Sequence, residues 1–195
     1  MNHLVVFAHP NPKSFCKGIL DTVVKASEEK GASVRVRDLY DIGFDPVLRA
    51  SDFEAFSNGA VPEDIAAEQE DVKWADAITF IYPVWWSSFP AMLKGYVDKV
   101  FSFGFAYGNV DGTIVGLLKG KKAFLFSTTG SPNEVYASNG MHNSMKQISD
   151  QGIFNFCGID QVTHTFFGSV PYVDDATRKG YLAEVEKTVK DNLFS

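Results

Sequence analysis

Three short stretches carry the residue types that chemistry needs. The first, Tyr82-Pro83-Val84-Trp85-Trp86-Ser87-Ser88-Phe89-Pro90, is too rich in proline, tryptophan and serine for a strand or a helix. It reads as a rigid loop offering flat aromatic surface and fixed backbone N–H and C=O groups, a wall for a planar, hydrogen-bonding heterocycle. The second runs from His9 to Cys16, where Ser14 is a good N-cap. Free N–H groups and the positive end of a helix dipole make such a place an anion site, with Ser14, Phe15 and Cys16 offering amides and His9 a side-chain donor. The third is Thr128-Thr129-Gly130-Ser131, where glycine permits close backbone approach and the hydroxyls offer donors. Beyond it Tyr136 and His142 stand six residues apart, a hydroxyl and an imidazole suited to stabilising negative charge that appears during reaction. Next to a helix start, His142 is expected to be a neutral donor. Each stretch alone also admits a plainer reading: a core or subunit-contact tryptophan pair, an ordinary N-cap with a core histidine, and a surface loop with an incidental Tyr and His.

The elements that must position these loops are legible from periodicity. Residues 3–8 and 77–81 are short apolar runs that scarcely alternate, as strands buried on both faces do. Residues 33–39, 122–127 and 161–167 supply three more strands. Helices are expected from Ser14 to about Lys30, from Pro62 to about Trp74, from Ala91 to Phe101, weakly over Met141 to Phe154, and from Asp174 to Leu193. Asp41 to Asn58 reads as an irregular surface excursion, and Phe103 to Gly120 as a glycine-rich connection long enough to be functional. Strands alternating with helices predict one doubly wound α/β domain over residues 1–195, with a five-stranded parallel sheet and helices on both faces. Each of the three stretches then sits at the carboxyl end of a strand, where such sheets bind ligands. The loop after the first strand carries prolines and a serine in place of a three-glycine fingerprint, which disfavours a nicotinamide-type Rossmann domain. The other doubly wound order, 2-1-3-4-5 with a flavin at the switch point, stays open.

Composition narrows the classes. The net charge of -6, from 18 Lys+Arg against 24 Asp+Glu, argues against nucleic-acid and anionic-membrane binding. Two widely separated cysteines, Cys16 and Cys157, suggest neither a disulfide framework nor a metal site and suit a reducing cytoplasm. No apolar run approaches a membrane span, and the N-terminus lacks a signal-peptide layout.

The chain resembles the NAD(P)H:quinone oxidoreductase family of flavodoxin-like enzymes, the DT-diaphorase type, and its short bacterial members. The resemblance runs through nearly the whole chain on His9 with Ser14-Phe15, Asp38-Leu39-Tyr40 with Phe44-Asp45-Pro46, Asp64-Ile65 with Glu68-Gln69, and Pro83 with Trp86. It continues through Pro90 to Gly95, Val100-Phe101, Phe105-Ala106-Tyr107, Thr128-Thr129-Gly130, Tyr136, Gly140 with His142, and Phe156-Cys157-Gly158. The resemblance implies that His9, Ser14, Phe15 and Cys16 hold flavin phosphates, although family members often have Asn where Cys16 stands. It implies that Pro83, Val84, Trp85, Trp86 and Ser87 line the isoalloxazine and that Thr128 to Ser131 hold its other edge. Tyr136 and His142 match the pair that assists hydride transfer. Gln69 and Arg178 fall at or near positions that contact FAD, with FMN as the alternative. Trp86 also faces the substrate, and Tyr107 and Phe156 match residues that a second subunit lends to the substrate pocket, implying a homodimer. Asn109 stands where a second tyrosine is usual.

The expected activity is hydride transfer from NAD(P)H through a bound flavin to a quinone-like small molecule, in two half-reactions sharing one pocket. The alternative is an ancillary regulatory subunit of a potassium-efflux antiporter, peripherally associated with that membrane transporter. A flavodoxin-like electron carrier is disfavoured, since carriers shield the ring and lack a partner-built pocket.

Overall fold

The computed structural model describes residues 1–194. Five parallel strands form one sheet in the order β2-β1-β3-β6-β7, with β1 at Asn2–Phe7, β2 at Ser33–Asp38, β3 at Ala77–Pro83, β6 at Lys122–Thr128 and β7 at Gln161–Phe167. Counting only the strands of this sheet, that is the expected 2-1-3-4-5. Alternation along the strands divides the core in two. Leu4, Val6, Ile78, Phe80, Ala123 and Leu125 face one side, under α3 (Glu63–Trp74) and α4 (Ala91–Val100). Val5, Phe7, Ile81, Phe124 and Phe126 face the other, under α1 (Phe15–Glu29) and α7 (Asp175–Asn192). Each such Leu, Ile or Phe contributes about 1.5–3 kcal/mol by leaving water, so burial on both faces explains why these strands read as unbroken apolar runs. Caps place the helices: the Ser14 hydroxyl accepts from the Lys17 N–H at 3.3 Å, and the Asp174 carboxylate from the Thr177 N–H at 2.8 Å. No helix among the described residues is long and apolar enough to cross a membrane.

Three segments differ from the expectation. The excursion at 41–58 contains α2 (Ala50–Ser57), whose Asp52 carboxylate accepts the Arg49 N–H at 2.8 Å; an arginine at the cap position hides that start. The long connection at 103–120 holds a hairpin of β4 (Tyr107–Val110) and β5 (Thr113–Gly116), turned at Asp111-Gly112 with φ of 52° and 83°, the Asp-Gly signature of a type I′ turn. After the short α5 (Asn133–Ser138), the weak pattern at 141–154 resolves into α6 (Met141–Lys146) followed by a π-helical run, Gln147–Asn155. Its i→i+5 bonding shifts the apolar repeat away from 3.6, which is why periodicity is faint there.

Two close approaches explain why motifs distant in the chain accompany each other. A Cβ on Gly95 would lie 2.1 Å from the Pro46 carbonyl oxygen, and one on Gly116 would lie 2.2 Å from the Cys157 carbonyl carbon. The Phe44-Asp45-Pro46 turn therefore seats on α4 only at a glycine, and Cys157-Gly158 abuts the hairpin in the same way.

One buried polar cluster has a measurable consequence. His3 is fully buried, with Nδ1 2.8 Å from the Ser27 hydroxyl and Nε2 2.7 Å from that of Thr79. Burial lowers its pKa from 6.5 to about 4. Between those values the unfolded chain binds a proton that the folded chain refuses, so the contribution to stability is full above pH 6.5 and declines as pH falls towards 4. The loss is about 3 kcal/mol at about 1.4 kcal/mol per unit. Denaturant titrations of wild type and His3→Gln should show their stability difference shrinking over that window; a constant difference refutes the assignment.

Candidate functional site

The parallel ladders end level with one another. The Ala8 N–H donates to the Ile81 carbonyl at 3.0 Å, that of Val84 to the Thr128 carbonyl at 2.8 Å, and that of Thr129 to the Phe167 carbonyl at 2.9 Å. The loops that follow therefore open at one height and enclose a cleft of about 390 Å³, lined by His9, Ser14, Phe15, Cys16, Pro83, Val84, Trp85, Thr128, Thr129, Gly130, Val170 and Pro171. Residues of all three expected stretches come together here, but Trp86, Ser87 and Ser131 are not among the lining.

His9 and the start of α1 form one end. The Asn11 N–H donates to His9 Nδ1 at 3.0 Å, so in the neutral ring Nε2 carries the proton and remains a donor. Burial holds the His9 pKa below its usual value. The Ser14 hydroxyl takes the Lys17 amide, leaving the Phe15 and Cys16 amides at the first turn without an i−4 helical partner. The Cys16 thiol lies 3.3 Å from the Thr128 hydroxyl, and burial pushes its pKa up to about 11.

Trp85 forms a side wall, its ring 6.2 Å from that of His9. Its N–H donates to the Ser88 carbonyl at 3.2 Å and the Ser88 N–H returns to the Trp85 carbonyl at 3.1 Å, closing a two-residue turn. Both central residues have left-handed backbone, Trp86 at φ 51° and Ser87 at φ 57°. A type I′ turn demands this and selects Gly or Asn; a side chain there costs about 1–2 kcal/mol per residue. The strained turn holds Trp86 entirely in solvent, 100% exposed, outside the cleft. Ser87 likewise lies off the cleft, lining a smaller adjoining cavity with Tyr82, Val84 and Phe89.

The third loop is tied down: the Thr129 hydroxyl donates to the Ser131 carbonyl at 2.7 Å, and the Ser169 N–H donates to that same carbonyl at 3.0 Å. Beyond it the Tyr136 and His142 rings meet edge to face at 5.7 Å and 85°. His142 Nε2 is shielded from water and has no hydrogen-bond partner, a buried polar atom that awaits one. Its pKa is lowered by burial first, then by Lys146 and His164. The neutral form of the imidazole is thus favoured by desolvation first and then by Lys146 and His164, not by the end of a six-residue helix.

Gln69 and Arg178 do not line the cleft, and neither do Tyr107 and Phe156, the two residues expected to serve a second subunit's pocket. Gln69 is buried and its amide donates to the Val100 carbonyl and the Ser102 hydroxyl, both at 3.0 Å, so it serves the end of α4. Arg178 binds the Val170 carbonyl at 3.2 Å and the Asp175 carboxylate at 2.9 Å, one residue behind the cleft wall. Tyr107 and Phe156 pack together with ring centroids 5.1 Å apart, on recesses apart from the cleft. Val170 and Pro171 were missed; they follow the carboxyl end of β7, and the rule that singled out the other loops applies to them equally.

Relieving the turn should stabilise the chain. Ser87→Gly is expected to add about 1 kcal/mol and raise Tm in a thermal melt; an unchanged or lower Tm removes the strain argument.

A family model described as the flavodoxin-like fold matches residues 1–189. The chain is 43% identical over 183 residues to an uncharacterized NAD(P)H oxidoreductase of Haemophilus influenzae, covering 93% of this chain and 91% of that one. It is 31% identical over 200 residues to human ribosyldihydronicotinamide dehydrogenase [quinone], covering 92% of this chain and 87% of that one. Among solved structures, the NAD(P)H:quinone oxidoreductase of Methanothermobacter marburgensis superposes with a TM-score of 0.90 at 30% identity, covering 99% and 98% of the two chains. With the loops, the sheet order and these relatives in agreement, the chain belongs to the NAD(P)H:quinone oxidoreductase family of flavodoxin-like proteins.

Proposed function

We propose that the protein is a flavoenzyme that takes a hydride from NAD(P)H and passes it to a quinone-like acceptor. The observation that carries this reading is the cleft itself, in which a helix start, a tryptophan wall and a hydroxyl-bearing loop meet at the carboxyl ends of the sheet. The relatives' names supply the donor and acceptor classes.

The residues fit a flavin in kind. His9 Nε2, the Ser14 side and the first amides of α1 are donors suited to phosphate oxygens. Pro83, Val84 and Trp85 present a flat, partly apolar flank to a ring, and Thr128 to Gly130 present backbone and hydroxyl groups to its opposite edge. The orphaned His142 Nε2 is a polar atom that a bound group would satisfy. A bound flavin supplies the redox chemistry; the chain's work is to orient it, exclude water and accommodate charge. In this reading a neutral His142, braced edge-on by Tyr136, donates a hydrogen bond where negative charge gathers. The flavin is FAD or FMN in this reading; because the Gln69 amide is engaged within the chain, the FAD-specific contacts expected of it require that amide to be released.

Mass spectrometry of the chromophore released from purified protein identifies the flavin, and a folded, colourless protein that takes up neither FAD nor FMN defeats the proposal. Tyr136→Phe and His142→Ala should keep the flavin yet slow its reduction by about 10²-fold in stopped flow; wild-type rates in both remove their role.

A second copy of the chain completes the acceptor site in this reading. Phe53, Phe103 and Phe156 are exposed, and Tyr107 lies among them beside a recess of about 510 Å³ lined also by Leu48 and Phe56. Sedimentation should give a dimer, and Phe156→Glu should weaken it and depress quinone turnover more than flavin reduction. A monomeric wild type with full turnover overturns this.

A further inference from the structure

Behind the Tyr136–His142 pair lies a second titratable cluster that the chemistry above leaves unused. His164, in the middle of β7, has Nδ1 2.8 Å from the Asp150 carboxylate. Its Nε2 lies 3.2 Å from the Tyr82 hydroxyl and 3.4 Å from that of Ser127. A carboxylate only accepts, so Nδ1 carries the proton and Nε2 accepts from Tyr82. Tautomer and ring plane are therefore both dictated. The His164 side chain is 1% exposed and that of Asp150 is 15% exposed. Apolar side chains of similar volume would fill this place without the desolvation cost of a buried ionisable pair, which points to a task for it. Asp150 also sits inside the π-helical run, a geometry found frequently at functional sites.

The ring so held touches the reactive pair through one intermediary. Phe166 stacks on His164 at 4.0 Å and 25°, and on His142 at 4.4 Å and 21°. Two rings this close to one centroid cannot share a face, so Phe166 lies between the two imidazoles. Tyr136 closes the row edge-on.

We propose that His164, gripped by Asp150, is a positioning residue that sets the orientation and the proton affinity of His142 through the Phe166 ring between them. The inference concerns His142 itself; only its catalytic consequence rests on the flavoenzyme reading. His142 faces Lys146 from its own helix, Tyr136 from α5 and His164 across Phe166. His164 faces Asp150 from the π-helical run, Tyr82 from β3, Ser127 from β6, and Lys146 and His142 from α6. The neutral His164 tautomer holds at neutral pH. Where pH falls far enough for an imidazole to bind a proton, a proton on either ring opposes one on the other, so the cluster favours a neutral His142. Deleting His164 must then raise the His142 pKa towards its ordinary 6.5. Deleting Asp150 must act in the same direction more weakly, because His164 then protonates less readily.

The test is a pH titration of imidazole-¹⁵N-labelled protein, carrying whatever cofactor it retains on purification, followed by long-range ¹H–¹⁵N spectra. The wild type should show His164 as the Nδ1–H tautomer. The His142 midpoint should move up in His164→Phe and, by less, in Asp150→Ala, while Asp150→Asn, which keeps an acceptor, should preserve the tautomer. A His142 midpoint unmoved in His164→Phe overturns the proposal, even if the variant melts earlier, since loss of packing alone would do only that. If His164→Phe does not fold, an unmoved midpoint in Asp150→Ala overturns it equally. Flavin content of the same samples separates the two readings: a colourless wild type defeats the flavoenzyme, whereas an unmoved titration in yellow protein defeats only the coupling.

Discussion

The level ending of the parallel strands is the constraint from which the site follows. Pairing of Phe7 with Ile81, Pro83 with Thr128 and Thr128 with Phe167 sets the ends of four strands side by side. Slipping any strand by one residue would turn its apolar set through the sheet and bury the opposite face. The register is thus locked by the same core that stabilises the fold, and the loops inherit their positions from it. Nothing in the loops themselves has the buried area to impose such an arrangement.

Against that rigid floor, the Trp85–Ser88 turn is the place where local preference is overruled. The hairpin at Asp111-Gly112 uses residues that accept left-handed backbone readily. Trp86 and Ser87 adopt the same sign of φ without that tolerance, held by two backbone hydrogen bonds and by Pro83 and Pro90 on either side. Strain of this kind survives where the surroundings over-determine it, and it concentrates at functional sites. It directs one tryptophan along the cleft and sets the other in open solvent.

The polar interior follows a related logic. His3, His142 and His164 are all kept from protonating, with burial the largest cause at each. At His3 the partners are hydroxyls from two elements, and the result is a stitch between α1 and the sheet. At His164 the partner is a carboxylate and the stacked neighbour reaches His142. The same residue type thus serves cohesion in one place and charge control in another, according to what faces it.

By itself the amino-acid sequence determined the strands, most of the helices and the three loops, because each is written locally: unbroken apolar runs for strands buried on both faces, Ser14 and Asp174 as caps, and proline, glycine and tryptophan clusters where neither repeat can continue. The many spaced motifs also carried the family, since packing partners such as Pro46 with Gly95 must appear together. Only the tertiary structure decided that the Cys16 thiol binds Thr128 across 112 residues, that Gln69 turns to α4, and that Asp150 and His164 meet beneath His142. Those pairings depend on which faces the sheet brings together and on a π-helical register that shifts Asp150 out of the ordinary repeat. Neither leaves a mark in short-range spacing, because the energy that selects them comes from burial between elements far apart in the chain.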